Sequence, residues 1–128
     1  MARILVVDDE ESILTILCTV LKSEGYEVVS ALGGEKAIPL LDSKDNKFDL
    51  MISDIRMSPV NGMDLLKYAS ENCPDMSVIM LTAYGQVETA IEALQLGAFD
   101  YVKKPFKVDE LLNTVQKALN CRGMSPQA

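Results

Sequence analysis

Ile4-Leu5-Val6-Val7-Asp8-Asp9-Glu10-Glu11 is a run of four apolar residues that stops abruptly on four acids. A short apolar run bounded by polar residues fits a buried strand. Three more runs end in the same manner: Leu50-Met51-Ile52-Ser53 leads into Asp54, Val78-Ile79-Met80-Leu81 into Thr82, and Phe99-Asp100-Tyr101-Val102-Lys103 into Lys104. If these runs are neighbouring parallel strands, Asp8, Asp9, Asp54, Thr82 and Lys104 meet at one edge of one sheet. Open parallel sheets bind ligands at the carboxyl ends of their strands, near the point where strand order reverses. Three carboxylates, a hydroxyl and an ammonium are the parts of a site for a phosphoryl group or a metal ion.

Helix-like patterns alternate with the strand-like ones five times, which predicts an α/β fold of five β-α units around a parallel sheet. Ile13, Ile16, Leu17, Val20 and Leu21 repeat at helical spacing, with Gly25 as the stop. Tyr26 to Ser30 reads as the second strand, and Gly33-Gly34 opens a helix carrying Ala37, Ile38, Leu40 and Leu41. Pro39 should leave that helix short or kinked, because past the first turn it removes a donor and crowds the preceding turn. A third helix is predicted from Gly62 to Asn72 with Leu65, Leu66 and Ala69 inward. Val87, Ala90, Ile91 and Leu94, then Gly97, mark a fourth, and Val108, Leu111, Leu112, Val115 and Leu119 a fifth. Unbroken apolar strands fit a sheet covered on both faces. Residues 1–121 form one domain in this reading, and 122–128 a linker or cut end.

Composition narrows the chemistry. A formal charge of −7 over 128 residues argues against a nucleic-acid or anionic-membrane surface. The four-residue apolar run at the N-terminus is too short for a secretory signal, and no run reaches the length of a membrane span, so a cytoplasmic protein is expected. Three cysteines without a Cys-x-x-Cys pair give neither a disulfide framework nor a zinc site. Cys18 reads as a small core residue, and Cys73 and Cys121 as thiols near helix ends. There is no histidine, which excludes Ser-His-Asp and Cys-His catalysis and any phosphohistidine on this chain.

In order and spacing, Val-Asp-Asp-Glu, Ser-Asp-Ile-Arg-Met, Leu-Thr-Ala-Tyr and Val-Lys-Lys-Pro-Phe resemble the motifs of bacterial response-regulator receiver domains, over about Arg3 to Asn120. The resemblance implies a doubly wound, flavodoxin-like sheet of order 2-1-3-4-5 with five helices. It implies that Asp54 accepts a phosphoryl group from a phosphohistidine on a sensor histidine kinase or phosphotransfer protein. Crowded acids such as Asp8, Asp9 and Asp54 call for a cation, and a hard divalent ion such as Mg²⁺ suits them. By family pattern Asp9 and Asp54 would ligate it directly, Asp8 would support it, and Arg56 would add its backbone carbonyl. Lys104 would offset charge on the phosphoryl oxygens while the Thr82 hydroxyl donates to them, Lys104-Pro105 would be cis, and Tyr101 would be the switch aromatic.

Two features depart from the pattern or vary within it. Ser58-Pro59 stands where most members have proline one residue earlier, and Arg56 and Tyr84 lie where the family tunes dephosphorylation. The stretch from Val87 to Phe106 looks most like receivers fused to ATPase-driven transcription activators, so an output domain is the implied partner. A stand-alone receiver docking on a target protein is the alternative, and a homodimer is left open. An aspartate-nucleophile phosphatase of the haloacid-dehalogenase type would need Asp-x-Asp where this chain has Asp8-Asp9-Glu10. A flavin carrier would not place acids after its first strand, and a P-loop nucleotidase would need Gly-x-x-x-x-Gly-Lys. A receiver reduced to a dimerisation surface would lack one of the five site residues, and all five are present.

Overall fold

A computed structural model of the chain describes residues 2–43, 47–57, 60–83 and 87–120, Val87 by its backbone only. Five strands and five helices alternate through these residues. They are β1 (Arg3–Asp8), α1 (Glu11–Ser23), β2 (Glu27–Leu32), α2 (Gly34–Asp42), β3 (Leu50–Asp54), α3 (Gly62–Asn72), β4 (Ser77–Thr82), α4 (Val87–Gln95), β5 (Asp100–Lys103) and α5 (Val108–Asn120). The strands pair in parallel in the order β2-β1-β3-β4-β5, as expected. Strand order therefore reverses at β1 and β3, and the carboxyl ends of those two strands carry Asp8 and Asp54.

Side chains alternate across a strand, so the continuous apolar runs divide between two cores. Leu5, Val7, Met51, Val78 and Met80 face α2, α3 and α4. Ile4, Val6, Leu50, Ile52, Ile79, Leu81 and Val102 face α1 and α5. The covering of both sheet faces explains why the runs lack polar alternation. The second strand is displaced from the expected Tyr26–Ser30 to Glu27–Leu32 because it continues as far as β1 does, Asp8 lying opposite Leu32.

The helices keep their expected places but not every inward residue. In α1 the buried residues are Leu14, Leu17 and Leu21, whereas Ile16 is 47% exposed. At about 100° per residue, Ile16 points well away from the centre of that stripe. In α4 the buried residues are Ala90 and Ala93, and Ile91 and Leu94 lie outward. Two alanines let the helix backbone approach the sheet, and the larger side chains are left outside. Val108, at the start of α5, is exposed as well, while Leu111, Val115 and Ala118 are buried and Leu112 and Leu119 pack at the margin.

Helix ends follow the sequence signals. Gly25 and Gly33 both have positive φ, which a side-chain-bearing residue rarely adopts. Asn61 caps α3 by accepting from the Asp64 N–H at 2.9 Å. The α2 helix is nine residues long with Pro39 inside it. Cys18 is half-buried beside the α1–α5 core, and Cys73 forms the C-terminal cap of α3, its thiol pushed up by burial and by nearby Asp42. The expectations for Ser58-Pro59, Tyr84, Cys121 and the segment 122–128 lie outside the described residues. Among the described residues, no helix is long and apolar enough to cross a membrane.

Candidate functional site

β1 ends on Asp8, whose side chain is wholly buried, while Asp9, the next residue, is exposed. The difference is a local one. Asp8 still has strand geometry and points into the sheet edge, where its Oδ1 accepts from the Glu10 N–H at 3.0 Å. Its backbone carbonyl accepts from Gly33 N–H at 2.9 Å, tying the acid to the corner between β2 and α2. Asp9 has already turned out of the sheet toward solvent.

Asp54 closes β3 beside β1 and is 6% exposed. Lys104, directly after β5, reaches across the sheet edge to both acids. Its Nζ lies 2.8 Å from Asp8 Oδ2 and 3.4 Å from Asp54 Oδ2. The Lys104 N–H donates to the Thr82 carbonyl oxygen at 2.6 Å, which fixes the start of the lysine against the end of β4. Thr82 itself is buried, and the Lys104–Pro105 bond is cis, in line with the sequence expectation. Four strand ends thus bring Asp8, Asp54, Thr82 and Lys104 to one place.

Electrostatics make this edge uneasy. Burial, then the nearby charges of Asp8 and Asp9, push the Asp54 carboxyl from 3.8 up to about 6, against the opposing pull of Lys104. Burial would lower the Lys104 ammonium, but its bonds and charge attraction to Asp8 and Asp54 outweigh this and raise it. One cation faces two buried carboxylates, with Asp9 close enough to add to the strain.

The acids form a suitable cradle for a divalent cation. Asp8, Asp9 and Glu10 each offer a carboxylate oxygen, all within 4.8 Å of one another, and oxygen-only donors are what Mg²⁺ prefers. The raised Asp54 carboxyl fits the same conclusion, since an added positive charge would relieve the repulsion that raises it. Glu10 joins the cluster without a sequence expectation behind it, and its place directly after the acid pair is the only signal the sequence carries. Arg56 is exposed. Tyr101 is half-buried, opposite Met80 of β4, and packs against the core beneath α4.

A family model described as the response regulator receiver domain matches residues 4–116. The regulatory protein AtoC of Escherichia coli K12 is 42% identical over 125 residues, which cover 98% of this chain and 27% of that protein. The transcriptional regulatory protein ZraR of the same organism is 43% identical over 116 residues, covering 91% of this chain and 26% of its own. The chain thus spans about a quarter of the length of these two relatives. Among solved structures, a response regulator receiver domain protein from Clostridium thermocellum superposes with a TM-score of 0.89 at 35% identity, covering 94% of this chain and 95% of the other. The order of strands, the acids and lysine at one sheet edge, and these matches have one reading: the chain belongs to the response regulator receiver domain family of two-component signalling.

Proposed function

We propose that Asp54 is the phosphoacceptor of this receiver, and that Asp8, Asp9, Asp54 and the Arg56 carbonyl hold a Mg²⁺ ion that it requires. The observation that supports this best is the single lysine shared by two buried carboxylates, 2.8 Å from one and 3.4 Å from the other. When the Asp54 carboxylate attacks phosphorus, the bond to the donor's histidine nitrogen breaks and the phosphoryl group adds charge at the edge. Lys104 is positioned to move its attraction from Asp54 toward the incoming oxygens, and the Thr82 hydroxyl to donate to one of them. A bound Mg²⁺ would neutralise part of the phosphoryl charge. At pH 7 a carboxyl titrating near 6 is about nine-tenths ionised and available as nucleophile.

The donor in this reading is a sensor histidine kinase or phosphotransfer protein. The receiver assists its own phosphorylation and dephosphorylation without being an enzyme on another substrate. Output is proposed to run through Tyr101. Phosphorylation adds about −1.5 to −2 charge, and new charge-assisted bonds to Thr82 and Lys104 are worth roughly 1.5 to 3 kcal/mol each. Two of these approach the roughly 5.5 kcal/mol that moves an equilibrium from about 1:99 to 99:1. As Thr82 moves toward the phosphate, the Tyr101 ring follows into the space, and the face of α4, β5 and α5 changes shape for an output domain. A transcriptional output is favoured by the similarity to ZraR, a transcriptional regulatory protein, and by the stretch from Val87 to Phe106. This segment makes no nucleic-acid contact of its own in the proposal, acts in the cytoplasm, and leaves homodimer formation open.

The test is to incubate the protein with a small acyl phosphate, with Mg²⁺ and with chelator, and to weigh it intact. One phosphoryl group should be gained only with Mg²⁺, and none by Asp54→Ala. Uptake by that variant, or uptake indifferent to chelation, would refute the assignment.

A further inference from the structure

A carboxylate can be aimed only as well as the peptide group that carries it, and the Asp54 peptide is held at several points. The buried Ser53 hydroxyl donates to the Asp54 carbonyl oxygen at 3.0 Å. The following N–H, that of Ile55, donates to the Leu81 carbonyl at 3.1 Å, which anchors the segment to β4. Gly62, the first residue of α3, closes the arrangement: its N–H donates to the Ile55 carbonyl at 2.7 Å.

Gly62 stands where no other residue fits. A Cβ there would collide with the Asp54 carbonyl oxygen and would lie 2.9 Å from its carbonyl carbon and 2.8 Å from Ile55 Cα. These are backbone atoms, so the neighbour cannot swing aside as the tip of a side chain can. The demand is for space rather than for an unusual backbone conformation, because Gly62 is not among the positive-φ glycines. Gly25 and Gly33 are the opposite case, with positive φ and nothing within 4 Å of an added Cβ.

We infer that Gly62, assisted by Ser53, is a positioning residue for phosphoryl transfer: by its close approach to the Asp54 carbonyl it sets where the Asp54 carboxylate stands relative to Asp8 and Lys104. The inference rests on the proposed role of Asp54. Adding one methyl group at Gly62 forces the Asp54–Ile55 backbone and the start of α3 to move apart while every catalytic side chain remains present. A misplacement of about 1 Å is enough to cost roughly 10²-fold in rate.

The experiment follows phosphorylation by intact mass over time, at several concentrations of a small acyl phosphate with saturating Mg²⁺, alongside thermal melts. Wild type is compared with Gly62→Ala, Ser53→Ala and Leu21→Ala, the last a core truncation near the far end of α1. Gly62→Ala is expected to lose on the order of 10²-fold in the saturating rate constant, with the donor concentration for half-saturation unchanged. Ser53→Ala should lose up to about tenfold, since a neutral hydrogen bond is worth roughly 0.5–1.5 kcal/mol. Leu21→Ala should melt at a lower temperature yet phosphorylate at the wild-type rate. A wild-type saturating rate in Gly62→Ala overturns the inference, and so does an equal slowing in Leu21→Ala, which would trace the loss to stability. Should Gly62→Ala not fold, Ser53→Ala decides: slower transfer supports the inference and wild-type transfer overturns it. Failure of the wild type to take up any phosphoryl group would instead refute the role of Asp54, and this inference with it.

Discussion

Replacing Asp54 by asparagine should make the protein more stable, by an amount that grows with pH. The folded-state carboxyl titrates near 6 against 3.8 for the ordinary group, so the folded chain holds this proton better than the unfolded chain does. A folded pKa raised in this way costs stability as pH rises, because the folded state must ionise a group it prefers neutral. The full cost is 6 − 3.8 ≈ 2.2 pH units, or about 3 kcal/mol at roughly 1.36 kcal/mol per unit. Asp54 is only 6% exposed, so solvent screening takes little from this figure. The linkage relation gives about 1 kcal/mol at pH 4.5 and about 3 kcal/mol at pH 8. Asparagine stands in for the protonated acid at both. Urea unfolding of wild type and Asp54→Asn, in chelator to exclude divalent ions, should therefore show a midpoint advantage for the variant that widens between those pH values at constant slope. An advantage that is absent at pH 8, or equal at the two pH values, would refute the reasoning, since it would mean that the ionised carboxylate is not under strain in the fold.

Other outcomes follow from the same geometry. The Asp54 carboxyl carbon, followed by NMR in chelator, should titrate with a midpoint near 6 and move to lower pH when Mg²⁺ is added; an unchanged midpoint would argue against the ion binding beside it. Lys104→Met leaves the wholly buried Asp8 carboxylate without its cation and should cost about 3 kcal/mol in chelator by denaturant titration, whereas a neutral result would mean that water reaches Asp8. Ile91→Ser, on the outward side of α4, should change stability by less than about 0.5 kcal/mol, while Ala93→Leu, against the sheet, should cost about 1–3 kcal/mol by overpacking. Amide shifts recorded with a phosphoryl mimic at Asp54 should change across α4, β5 and α5; changes confined to the strand-end loops would place the switch elsewhere.

The apolar runs determined most of the architecture by themselves. A buried apolar run followed by an acid or a hydroxyl can hardly be anything but a covered strand and its exit, and strand-like runs alternating five times with helical spacing leave a parallel sheet as the simplest solution. The bounds of α3, Gly62 to Asn72, were legible because Leu65, Leu66 and Ala69 repeat at helical spacing and Pro74 stops the extension, whereas the Asn61 cap belongs to the structure. Sequence patterning could not rank neighbours on one element. Asp8 and Asp9 are the same residue type side by side, yet one is buried on a lysine and the other is in solvent, because successive side chains at a strand end leave on opposite sides. Likewise, Ile16, Ile91 and Leu94 sit on the helical period but outside the sector that the sheet covers, and the width of that sector depends on how closely each helix approaches. The contact between Lys104 and Asp8, 96 residues apart, the strained Asp54 carboxyl and the collision reserved at Gly62 all belong to the tertiary structure. They arise where strand ends from distant parts of the chain converge, and no local pattern carries that distance.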